Sequence, residues 1–193
     1  MREGITIAGN MIMDILYPIN GLPKPGELTT ILDGITRATG GAVCNVVTDL
    51  ARLDQSLPLY AIGRVGSDQE GDNILEELRK YENIDTSDVK REGITSFTSV
   101  MADTITKQRT FFHYRGANAT LDINDFDFSK VDSKIFHIGY ILLLDSLDQE
   151  DDEYGTKMAK LLHNAQKKGI WTSIDVVSEA SDRFKRLVPP AMK

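Results

Sequence analysis

The chain has 193 residues, and 22 basic against 29 acidic side chains leave a formal net charge of −7. That length suits one domain, or one large domain with a small appendage, able to bury about 70% of its extended surface without a metal or disulfide. The acidic balance argues against nucleic acid, whose phosphates need a basic face, and no Lys/Arg-rich amphipathic stretch suits an anionic lipid surface. The single cysteine, Cys44, rules out an internal disulfide and fits a reducing compartment. The apolar stretch from Ile5 to Ile19 is broken by Asn10 and Asp14, so it suits neither a signal-peptide core nor a membrane span. The expected location is the cytoplasm.

Ile5 to Gly9 reads as a short buried strand, and Pro18 to Gly26, with three prolines, reads as a loop. Val43, Val46, Val47, Leu50 and Leu53 recur with helical spacing and predict a helix starting just after Gly40-Gly41. Leu59 to Ile62 follows as a strand. Ser67-Asp68-Gln69-Glu70 has capping-box spacing and opens a helix carrying Ile74, Leu75, Leu78 and Tyr81. Phe97 to Asp103 and Arg109 to Tyr114 are rich in Thr, Val and aromatics around a polar connection, which predicts a hairpin forming a small flap beside the main sheet. Alternation then resumes with a strand over Ile135 to Ile138, a helix near Tyr154 to Lys168 stopped by Gly169, and a strand over Ile170 to Asp175. The acidic run Asp148 to Glu153 reads as a solvated helix entry.

Such alternation implies an α/β fold with a mostly parallel central sheet flanked by helices, and ligands in such sheets sit beyond the carboxyl ends of the strands. Asp14, Gly40-Gly41 and Asp175 lie close to predicted strand ends. In Gly40-Gly41-Ala42-Val43-Cys44-Asn45, two glycines permit close backbone approach to a ligand, or simply a tight strand-to-helix turn. Asn45 offers a donor and an acceptor to hydroxyl groups, and Asp14 offers two acceptor oxygens to a polyol or serves as a turn carboxylate. Gly9 to Asp14 lacks dinucleotide-fingerprint spacing, and Gly63-Arg64-Val65-Gly66-Ser67-Asp68 lacks a Walker lysine and reads as structural. The three histidines, His113, His137 and His163, form no metal-ligand pattern, and no acyl-transfer serine elbow occurs. Cys44 reads as a packed thiol.

These pieces, in this order, resemble the ribokinase family of carbohydrate kinases, also called the phosphofructokinase-B family. The resemblance rests on Gly9 to Asp14, then Gly40 to Asn45 opening a Leu-Ala-Arg-Leu helix, then Gly63 to Asp68. A lid ending at Arg115-Gly116-Ala117-Asn118-Ala119 follows, and then Ser173-Ile174-Asp175. It implies a ribokinase-like domain with lid strands about 29–37 and 95–116, and ATP-dependent phosphoryl transfer to a sugar hydroxyl. Asp14 and Asn45 would hydrogen-bond the sugar, with Gly40 and Gly41 as the hinge and close-approach point. Lid pairing between subunits would make a homodimer. Ile12 stands where ribokinase itself has a polar residue. An adenosine-like nucleoside is the alternative acceptor, and a non-catalytic sugar-binding or assembly module the alternative role.

ATP and Mg2+ are implied as cofactors, but the family's Gly-Ala-Gly-Asp signature, which supplies the anion hole and catalytic base, has no counterpart between Met1 and Lys193. The expectation is therefore that the C-terminal part of the fold, with the base and the nucleotide and metal residues, lies outside this sequence. These 193 residues alone would then not turn over.

Overall fold

A computed structural model describes residues 3–179 and 181–193. Its chain begins with β1 (Ile5–Gly9), whose five residues are all buried or half-buried, and turns at once into β2 (Ile12–Ile19). β3 (Thr36–Gly40) runs straight into α1 (Gly41–Leu53), which is followed by β4 (Leu59–Val65) and α2 (Gln69–Leu78). Two short strands, β5 (Ile84–Asp85) and β6 (Val89–Arg91), precede the hairpin of β7 (Phe97–Asp103) and β8 (Arg109–Tyr114). β9 (Ile135–Ile141), the small β10 (Glu150–Asp151) and β11 (Gly155–Thr156), α3 (Lys157–Lys167), β12 (Trp171–Val176) and α4 (Arg183–Ala191) complete it.

The main sheet has the order β12-β9-β1-β4-β5, with β6 also on β4, and every pairing in it is parallel. Alternate residues of its strands feed two apolar cores, as a sheet covered on both faces requires. Ile7, Ala61 and Val65 pack with Val43, Val47 and Ala51 of α1 and Ile74 and Leu78 of α2. Ala8, Ile62, Phe136 and Ile138 pack on the other face with Leu161 and Leu162 of α3 and Leu187 of α4. A second sheet, in the order β3-β2-β7-β8, joins the first where β1 runs into β2, and joins α1 where β3 ends. It is parallel between β2 and β7 and antiparallel at both flanks. Among the described residues no helix is long and apolar enough to cross a membrane.

Several expectations shift. The first lid strand falls at 36–40 rather than 29–37; before it lies only an isolated bridge between Ile19 and Ile31. Gly34 holds φ of +94, which breaks an extended chain inside that segment. Asp14 does not follow a strand but sits inside β2, and the lid is a four-stranded sheet rather than a hairpin alone. α2 is capped by Asp68, whose carboxylate accepts from Gly71 N at 2.9 Å, and not by Ser67. Asp148 is no solvated helix entry: its buried side chain accepts from Leu142 N at 3.2 Å and meets Arg183 at 3.1 Å.

Candidate functional site

The carboxyl ends of β1, β9 and β12 converge on the N-terminus of α1, and Asn10 ties them together. Its backbone N–H donates to Gly139 O at 2.8 Å, its carbonyl accepts from Val43 N at 3.0 Å, and its side-chain oxygen accepts from Tyr140 N at 2.5 Å. The Asn10 Nδ2 is buried and has no partner among the described residues. Two further donors are thus available beside the start of a helix, where unpaired backbone N–H groups already favour electron-rich ligands.

The two glycines differ in what they supply. Gly40 has ordinary extended backbone, φ −150, but a Cβ there would lie 2.2 Å from Asp14 Oδ2. Its lack of a side chain is the slot into which the Asp14 carboxylate fits. Gly41 has φ +85, and a Cβ would lie 2.5 Å from Asn10 O, so both conformation and space require glycine. Asn45, exposed in the first turns of α1, has its side chain beside that of Tyr140. Burial raises the Tyr140 pKa, the nearby Asp175 and Asp14 carboxylates raise it further, and Asn45 opposes them. Burial likewise raises the Asp14 pKa, and Thr98 opposes it.

Asp14, Gly40, Gly41 and Asn45 therefore come together, with Asn10, Tyr140 and Asp175 as additional members. Asp175 reaches the group because Gly139 leaves room: a Cβ there would be 2.9 Å from Asp175 Cβ and 3.1 Å from Ala42 Cβ. Arg115 is placed differently. Its Nη1 donates to Leu142 O at 2.7 Å and Asp145 Oδ1 at 2.8 Å, with Glu179 at 3.9 Å, so it ties the lid's root to the loop after β9. Cys44 is buried, with its thiol pushed up to about 12 chiefly by desolvation, which makes it an inert packing group.

Asn10 and Tyr140 carry no motif of their own; only the convergence of β1 and β9 assigns them a place. Asn118 is another residue whose role needed the fold: it accepts from Met11 N at 3.2 Å and donates to Met11 O at 3.1 Å, pinning the β1–β2 junction. Among the described residues no group of three or more His, Cys, Asp or Glu lies together that could hold a metal ion.

A parallel sheet covered by helices, with a polar cluster at its strand ends and a second four-stranded sheet joined to it, defines an α/β protein. Residues 3–191 match the pfkB family carbohydrate kinases, and the chain belongs to that family. Its fold is ribokinase-like. Fructokinase from Xylella fastidiosa superposes with a TM-score of 0.71 at 24% identity, over 97% of this chain and 56% of that one. The same enzyme with bound ATP gives 0.70 at 22% identity, over 97% and 57%. Arabidopsis thaliana ribokinase complexed with ribose and ATP gives 0.67 at 21% identity, over 94% and 55%. The chain thus spans about half the length of these solved structures.

Proposed function

We propose that this chain forms the acceptor-binding and lid portion of an ATP-dependent sugar kinase, with Asp14 and Asn45 holding sugar hydroxyls and Gly40 and Gly41 giving the sugar close access to the α1 N-terminus. The observation that carries the reading is the Asp14 carboxylate, seated in the Gly40 slot on the lid sheet and facing the α1–β9 polar cluster. A carboxylate accepts from two hydroxyls, and the neighbouring amides, Asn45 and Asn10, donate or accept as a third requires. The lid sheet would exclude water, which competes with the sugar for a phosphoryl group. ATP and Mg2+ are the cofactors that family membership implies. We further propose a homodimer through the lid strands, supported by the exposed aromatics of β8, and a cytoplasmic location, supported by the single buried thiol.

Isothermal titration of the chain with D-ribose, D-fructose and adenosine tests the acceptor reading. We expect one of the two sugars to bind, and Asp14→Asn to weaken it by about 10- to 100-fold, the worth of hydrogen bonds to a charged group. Binding that ignores Asp14→Asn removes Asp14 from the site. Binding of adenosine alone would replace the sugar by a nucleoside.

A further inference from the structure

Residues paired across neighbouring strands project from the same face of a sheet. In the lid sheet the register sets Ala38 opposite Asp14, Asp14 opposite Thr98, and Thr98 opposite His113. One row of side chains therefore crosses all four strands, with the Asp14 carboxylate near one end and an imidazole at the other. Thr98 stands between the two: it is paired in register with Asp14 across β2 and β7, and its Oγ1 lies 3.0 Å from His113 Nδ1. The remaining ring nitrogen, His113 Nε2, is buried and has no partner among the described residues.

We infer that His113 is a second acceptor-recognition residue, its Nε2 lone pair accepting a hydroxyl proton of the same sugar that Asp14 binds. This rests on the acceptor site proposed above.

The direction of the chain of hydrogen bonds follows from the groups themselves. An ionised carboxylate only accepts, and Asp14 is the direct cross-strand neighbour of Thr98, which draws the Thr98 hydroxyl proton towards it. Thr98 Oγ1 then has only lone pairs to offer, and His113 must donate Nδ1–H to it. In a neutral imidazole that leaves Nε2 as the acceptor. Neutrality is favoured here: burial lowers the His113 pKa, Arg115 just past the end of β8 lowers it further, and Asp145 from the loop after β9 opposes only in part. Asp14 lies beyond Thr98. Two acceptors, one carboxylate and one imidazole, at the ends of a row suit a ligand carrying several hydroxyls and no anionic group.

Two measurements test this on the chain itself. Long-range 1H–15N correlation of the imidazoles, with the His113 signals assigned by their loss in His113→Gln, should show the Nδ1–H tautomer with a bare Nε2. The Nε2–H tautomer would overturn the inference. Titration with D-ribose and D-fructose should move that Nε2 resonance upfield. His113→Phe should weaken the bound sugar by about tenfold, and His113→Gln, which restores an acceptor, should recover most of the loss. Unaltered affinity in His113→Phe, with Asp14→Asn still disrupting binding, would overturn the role of His113 alone. If neither sugar binds the unaltered chain, the acceptor reading itself fails.

Discussion

Asp148 begins an acidic run, yet burial separates it from its neighbours. Its carboxyl is pushed up to about 6 from an ordinary 3.8, mainly by desolvation, although Leu142 N and Arg183 favour the ionised form. Because the folded state holds this proton more tightly than the unfolded chain, stability from this group is fully present below about pH 4. It is lost as pH rises through about 6. The span between the two values corresponds to about 2–3 kcal/mol. We expect urea midpoints of the unaltered chain to gain on those of Asp148→Asn as pH falls from 7 to 4.5. A constant difference would mean that Arg183 fully offsets the burial. No pattern in the sequence shows this, since Arg183 lies 35 residues downstream of Asp148. The placement of Asp14 and Asn45 beside the Gly40-Gly41 turn was legible because each belongs to a local motif. That of His113 and Asn10 was not, since their neighbours are supplied by other strands.

At the level of elements, Asp68 joins a helix to the lid. One oxygen caps α2 through Gly71 N at 2.9 Å; the other accepts from Thr95 N at 2.8 Å, and the Thr95 hydroxyl also bonds the carboxylate. Thr95 stands two residues before β7 and accepts from Gly66 N at 2.8 Å, so Asp68 couples the start of α2 to the root of the lid. Asp68→Ala removes a cap worth about 1–2 kcal/mol and strands buried partners at a further 1–3 kcal/mol or so. Denaturant unfolding should therefore show a loss of about 3 kcal/mol, against less than about 0.5 kcal/mol for Ser67→Ala. The sequence pattern placed this cap one residue early because Ser67 and Asp68 are both good capping residues; only the Gly71 contact distinguishes them. Both lid hairpin strands were legible to the residue from their Thr, Val and aromatic content. β2 was not, since Pro18 reads as a breaker. It is tolerated because β3 pairs only as far as Leu16, which leaves the Pro18 nitrogen on a side with no ladder, where Leu32 N instead donates to Pro18 O at 2.8 Å.

Across the whole molecule, the order of strands and helices was legible because a sheet covered on both faces leaves long apolar runs separated by amphipathic helices. The lid assembles segments 12–19, 36–40, 97–103 and 109–114, and which of these pair is a matter of tertiary register rather than local pattern. That assembly has a consequence for association. β8 is an edge strand, and Phe111 is 62% and Phe112 55% exposed, one on each face of the sheet. Leu28, Ile31, Leu32 and Ile35 add apolar surface in the segment leading into β3 at the opposite edge. An unprotected edge strand with aromatics on both faces invites pairing, and exposed apolar side chains at such an edge suit an interface. A second copy satisfies it without new chemistry, since the same patch on each protomer is self-complementary about a two-fold axis. Sedimentation velocity should therefore show a species of about twice 21.5 kDa. Phe111→Ser combined with Phe112→Ser should return it to the monomer, while Trp171→Ser, on the far edge of the main sheet, should leave the dimer intact. A monomer for the unaltered chain at every concentration would sink the lid interface. A dimer lost instead with Trp171→Ser would move the contact to β12.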